Sequence, residues 1–295
     1  MWNSISQFLN KFLGRTAEPV EDAAQLTTET ILFREEAEGA SPPPRSGQTT
    51  RSLEGVITDT TTVIPVGEDG NPICIDNPKF YWILDNGHGK LQKGKRSPKF
   101  EDGSQFEEWE FTRDIVARMI PKLEYANVQF LNLVPEVEIG SFLTARVNRA
   151  NAATHPMNLN KIYVSIHANA YGTGAEWSDS QSARGIETWH YPGSDSGMKI
   201  SSVFQREIIA ALGWKDRGIR SHQTGSSNIF YVLQNTSMPA VLTENGFYTN
   251  KEETQLLKTE EIRQLIADAH VAAILHIEQE GFQDQELYRP RMILA

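Results

Sequence analysis

The chain has 295 residues, 39% of them hydrophobic and 9% aromatic, enough to fill one sizeable core. Its 38 acidic and 28 basic residues give a formal charge of -10, which argues against non-specific nucleic-acid binding. A single cysteine, Cys74, excludes an intramolecular disulfide and a thiolate-rich zinc site.

In chain order, Trp2, Ile5, Phe8, Leu9, Phe12 and Leu13 recur at helical spacing, so residues 1–16 are expected to form an amphipathic helix. Such a helix is suited to docking on a partner, on its own domain or on a membrane surface. This stretch lacks a basic n-region followed by an apolar run of signal-peptide length, and no run reaches the roughly 18 apolar residues of a membrane span. The expectation is a protein made in the cytoplasm without an export signal of its own. Residues 17–75, including SPPPRSGQTTRS, are poor in large apolar side chains and read as a mostly irregular linker.

Residues 76–295 alternate between short apolar runs and longer helical periodicities. Strands are expected at Phe80 to Leu84, Val128 to Val134, Lys161 to Ile166, Gly185 to Tyr191, Ile229 to Leu233 and Ala240 to Thr243. Helices are expected at Glu107 to Tyr125, Phe142 to Thr154, Ser194 to Leu212 and Thr259 to Glu280. This interleaving predicts a single α/β domain: a twisted, largely parallel mixed sheet of about six strands, flanked by helices on both faces.

In open α/β sheets the functional crevice lies beyond the carboxyl ends of the strands. Three apolar runs end there in polar clusters: Asp85-Asn86-Gly87-His88-Gly89-Lys90, His167-Ala168-Asn169-Ala170 and Glu244-Asn245-Gly246-Phe247. Two histidines and two glutamates at one side of a sheet are the imidazole and oxygen donors that zinc prefers. A catalytic zinc site uses three protein ligands, and the helix after the first strand offers Glu107, Glu108 and Glu110. Glu108 shares a stripe with Phe111, Ile115 and Met119, the face that packs on the sheet. Glu107 and Glu110 fall on the solvated face and remain the alternatives if the helix starts differently.

LDNGHGK, a glutamate opening a helix, VSIHANA and PAVLTENGFYTN, in this order, resemble the zinc-dependent N-acetylmuramoyl-L-alanine amidases of the amidase-3 type. The resemblance runs from about Tyr81 to Glu278. It implies Zn2+ held by His88, Glu108 and His167, with Glu244 as catalytic acid/base; a fourth ligand or a buried partner for Arg146 are the other roles open to Glu244. LTARVNRAN resembles a family helix in which Arg146 and Asn151 stand at matching positions, and Arg146 is expected to brace the site structurally. Asn86 departs from the family, where many members have proline. Asn169, His190 and His222 are candidate substrate contacts, and Trp177, Trp189 and Tyr248 are aromatics suited to stacking or to packing. The Lys-rich loop from Gly89 to Gln105 is either a substrate rim or a solvated loop.

The resemblance implies hydrolysis of the bond between N-acetylmuramic acid and L-alanine in peptidoglycan, in the manner of a phage-type lysin that acts on the wall after release or export by another route. The alternatives are a zinc peptidase on stem peptides and a non-catalytic wall-binding protein.

Overall fold

A computed structural model describes Pro65 and residues 71–289. The expected N-terminal helix, and the linker apart from Pro65 and residues 71–75, lie outside the described residues. Ile73 and Ile75, assigned to the linker, are instead docked on the domain. Ile75 is 6% exposed and its N–H donates to the Ala126 carbonyl at 2.9 Å.

Among the described residues the order is β1 (Phe80–Asn86), α1 (Glu108–Tyr125), β2 (Gln129–Asn132), α2 (Leu143–Ala152), β3 (Asn160–Asn169), β4 (Ile186–His190), α3 (Asp195–Leu212), β5 (Asp216–Arg220), α4 (Tyr231–Asn235), β6 (Ala240–Phe247), α5 (Lys251–Leu257) and α6 (Glu260–Glu280). The six strands form one sheet in the order β2-β1-β3-β6-β4-β5. β2, β1, β3 and β6 run parallel; β4 is antiparallel to β6, and β5 is parallel to β4. The expected α/β mixed sheet is therefore present.

Alternation along each strand divides the core. Trp82, Leu84, Val164 and Ile166 face α1, α3 and α6, while Tyr81, Ile83 and Tyr163 face α2 and α4. Helix ends follow local chemistry: the Ser194 side chain accepts from Gly197 N–H at the start of α3, and Gly213 closes it at φ 61°.

Two expectations fail here. Ile229 to Leu233 is not a strand: helix α4 begins at Tyr231 and buries only Val232 and Leu233 of its five residues. A five-residue apolar run carries too little periodicity to separate a strand from a helical turn. The sixth strand is instead β5, DRGIR, whose charged residues suit a sheet edge and hide it from a hydrophobicity reading.

The reversal of β4 also has a local cause. No helix lies between β3 and β4, so the chain re-enters the sheet at the end it left and must run back.

Candidate active site

His88 follows β1, His167 lies near the end of β3, Glu244 lies within β6, and Glu108 opens α1. The structure brings the first two and Glu108 together: His88 Nε2 is 3.1 Å from Glu108 Oε2, and His167 Nδ1 is 3.1 Å from both Glu108 Oε1 and His88 Nε2. Glu108 is 2% exposed. Glu107 instead lies 3.9 Å from Arg96, and Glu110 is exposed beside Arg263, so neither faces the histidines.

Close approach explains the glycines. A Cβ at Gly87 would meet His167 Cε1 at 2.5 Å, and one at Gly89 would meet Ile139 Cγ1 at 2.4 Å. His88 between them adopts φ 61°, a left-handed conformation that costs energy for a non-glycine residue. Two guanidiniums hold that turn. Arg113 Nη2 donates to the His88 carbonyl at 3.1 Å and Arg146 Nη2 donates to it at 2.5 Å. Thr112 Oγ1 donates to the Gly87 carbonyl at 2.8 Å.

A buried network fixes which ring nitrogens face one another. His88 Nδ1 lies 2.8 Å from Gln92 Oε1, an acceptor, so Nδ1 carries a proton and Nε2 turns its lone pair to the cluster. Ser165 Oγ donates to Asp85 Oδ2 at 2.7 Å and so accepts from His167 Nε2 at 3.0 Å, leaving His167 Nδ1 facing inward. Asp85 also takes hydrogen bonds from Tyr163 and Arg146. Arg146, 1% exposed, continues to the Asn86 and His88 carbonyls, so one chain of contacts ties both histidines together. It serves Asp85 and not Glu244.

Two ring lone pairs and a carboxylate converging within 4.8 Å demand a positive charge at their centre. With no cation at the centre, protons on the rings would supply that charge: burial opposes the Glu108 carboxylate, but the charge of a protonated His88 and hydrogen bonds from both rings outweigh it and hold Glu108 below the usual carboxylate range. Burial also pushes the His167 imidazole down, which favours its neutral, ligating form. The donor set of two neutral imidazoles and one carboxylate fits a divalent cation.

Glu244 stands beside this cluster. It pairs in register with His167 on one side and with Glu187 on the other. Its carboxyl is buried and Oε2 has no hydrogen-bond partner. Burial first, then the charges of Glu108 and Glu187, push its proton affinity well above the usual range, with Lys95 acting against them.

Glu187 is not among the residues that the sequence marks at carboxyl strand ends, because it sits near the start of its own strand. Its Oε1 accepts from Asn169 Nδ2 at 2.8 Å and Trp189 Nε1 at 2.9 Å; its Oε2 accepts from Arg217 Nε at 2.5 Å and lies 3.0 Å from Arg220 Nε. The two arginines of DRGIR were the available clue, since an apolar edge has no use for them.

A cleft of about 550 Å³ opens over these groups, lined in part by Gln92, Lys95, Leu143, Asn169, Phe230 and Tyr231. Asn169 thus lines it, although its amide is committed to Glu187 and to the Ala170 N–H.

His190 does not line it. Because β4 is reversed, His190 pairs with Val241, at the opposite end of the strand from Glu187. His222 packs against Trp189 at 4.6 Å and Phe230 at 5.0 Å and is not a lining residue either. Trp177 packs at a tilt against Phe100, whereas Tyr248 lines the cleft from a buried position against Phe106. Asn151 bonds Asn235 and Ser237, joining α2 to the segment after α4.

Residues 83–276, more than half of the chain, match the family model described as Amidase_3, N-acetylmuramoyl-L-alanine amidase. The chain is similar to the endolysin of Bacillus phage SPP1, 30% identical over 68% of this chain and 66% of that protein, just under two thirds of its length. Among solved structures it is similar to an N-acetylmuramoyl-L-alanine amidase from Clostridium difficile 630, with a TM-score of 0.56 at 26% identity over 69% of this chain and 99% of the other. A comparable likeness holds for the amidase AmiC2 of Nostoc punctiforme, with a TM-score of 0.54 at 28% identity, again over 69% of this chain and 99% of the other. By its motifs, its fold and the extent of the family match, the chain belongs to the N-acetylmuramoyl-L-alanine amidases of the amidase-3 type.

Proposed function

We propose that this protein hydrolyses the amide joining the lactyl carbonyl of N-acetylmuramic acid to L-alanine in peptidoglycan, with Zn2+ held by His88, Glu108 and His167 and with Glu244 as acid/base. The observation that carries this reading is the pairing of two unlike carboxyls. Glu108 is committed to the histidines, while Glu244 is buried with one oxygen unsatisfied beside them.

When bound, the zinc supplies a Lewis acid that polarises the scissile carbonyl and makes a water more acidic. Glu244 accepts the proton of the attacking water as the new C–O bond forms. It then delivers that proton to the alanine nitrogen as the C–N bond breaks. The charge of Glu108, which helps raise the Glu244 proton affinity, would be offset by a bound cation, leaving Glu244 ionised to take the water's proton and basic enough in its buried position to hold it until the nitrogen leaves. Gln92 and Ser165 fix the tautomers of the two histidines, and Arg113 and Arg146 hold the strained His88 turn.

The likeness to a phage endolysin supports action on the cell wall after release or export. Among the described residues no helix is long and apolar enough to cross a membrane.

Digestion of purified peptidoglycan, followed by mass spectrometry, tests the reaction. New alanine amino termini together with free muramic lactyl carboxyls are expected. Appearance only of other peptide termini replaces the amidase with a stem-peptide peptidase. Metal analysis of the purified chain should find about one zinc per molecule, as three protein ligands hold a single catalytic ion.

A further inference from the structure

The cleft has two unlike walls. One carries Leu143, Phe230 and Tyr231, from the sheet face covered by α2 and α4. Leu143 and Tyr231 are 42% and 39% exposed there. The other wall comes from the loop after His88, where Gln92 and Lys95 line the cleft. The Lys95 carbonyl accepts the Glu108 N–H at 3.0 Å, so its backbone is fixed at the mouth of the ligand helix.

The ammonium of Lys95 makes no hydrogen bond or ion pair among the described residues, although it lines the same cleft as Glu108 and Glu244. Both of these are otherwise occupied or withdrawn: Glu108 faces the histidines and Glu244 is buried, while Glu187, on the strand beside Glu244, is saturated by Asn169, Trp189, Arg217 and Arg220. Of the neighbouring cations, Lys90 sits on Glu138, Arg96 near Glu107 and Arg146 on Asp85, while Lys93 and Lys99 share the loop but do not line the cleft. The charge of Lys95 nevertheless reaches Glu244 inside the cleft. In a protein of formal charge -10, an anionic ligand needs a local cation to offset the general repulsion.

We propose that Lys95 forms a carboxylate subsite on this wall, so that the cleft takes an anionic peptide along the Lys95 side and an apolar or sugar face along the Leu143–Tyr231 side. The inference rests on the amidase reading and names the substrate chemistry of the same site. A peptide of the same shape with its carboxylate capped as a carboxamide loses the contact, because a neutral amide leaves the ammonium without a counter-charge.

The test uses two muramoyl peptides that differ only in a free carboxylate or a carboxamide on the stem. Binding is measured by calorimetry to the full-length protein carrying Glu244→Gln, which blocks turnover, and kcat and KM are measured on the otherwise native enzyme. The acid should bind about 5-fold more tightly than the amide, Lys95→Met should remove that preference, and Lys95→Glu should reverse it. Equal binding of the two peptides, a preference that survives Lys95→Met, or a Lys95→Met loss that falls on kcat for both peptides alike overturns the subsite. Failure of the native enzyme to cleave either peptide, with the acid preference in binding intact, overturns the amidase reading and leaves the subsite standing.

Discussion

The surroundings of Glu108 and of Glu244 give one side chain two opposite characters. Around Glu108 every polar group has an assignment: His88, His167 and the Ala168 N–H take its oxygens, and the charged form is favoured. Around Glu244 the assignments run out: Oε2 is orphaned, two carboxylates crowd it, and the proton is favoured. Burial is similar in the two, so the difference comes from donors and charges, not from depth. A carboxylate ringed by positive groups behaves as a ligand, and one denied them behaves as an acid.

The largest expected effect separates the two regions directly. Glu244→Gln keeps the shape and removes the proton carrier, so kcat should fall by roughly 10²–10⁴-fold while zinc content stays at the native level. Glu108→Gln should instead lose the metal, measured by elemental analysis. Identical behaviour of the two variants would break the comparison.

On the ligand side, Asp85→Asn leaves the guanidinium of Arg146 buried without its counter-charge. A loss of roughly 3–5 kcal/mol is expected in urea unfolding, because both groups are nearly inaccessible.

On the acid side, His270 sits behind β6, between Thr243 Oγ1 at 2.9 Å and the Ile266 carbonyl at 2.7 Å, and burial pushes it down to about 4. The folded value lies below the unfolded one of about 6.5, so the stabilisation is complete above pH ~6.5 and is lost as pH falls towards 4. The size is about 3 kcal/mol, and His270→Gln should flatten that part of the stability profile. An unchanged slope would remove His270 from the account.

The smallest effect belongs to Gln92→Leu, which deletes the acceptor that fixes the His88 tautomer. Zinc affinity in a chelator competition should drop by roughly 10–100-fold without loss of folding. No change would show that the Arg113–Arg146 clamp suffices to orient the ring.

Much of the candidate site was legible because it sits where local pattern ends. The runs FYWIL, YVSI and AVLT each announce a buried strand, and the polar residues after or within their ends stand out against them. The stripe through Glu108, Phe111, Ile115 and Met119 separated Glu108 from Glu107 and Glu110, since a helix that packs on a sheet must turn one face inward. His190, at the carboxyl end of its strand, would reach the cleft only if that strand ran with its neighbours; β4 runs back, and the residue opposite Glu244 is Glu187. DRGIR went unread because an edge strand needs little hydrophobicity.

The sequence by itself determined most of the strands and helices around the site, Ile229 to Leu233 and DRGIR excepted, and which polar residues stand at the strand ends, because the periodicity of burial is written locally. Tertiary structure alone decided the direction of β4, the placing of Glu187 beside Glu244 and of Lys95 in the same cleft, and the pinning of the His88 turn by Arg113 and Arg146. Strand direction depends on how a connection returns to the sheet, and proton affinity on charges brought close by residues distant in the chain. Neither leaves a periodic trace in the sequence.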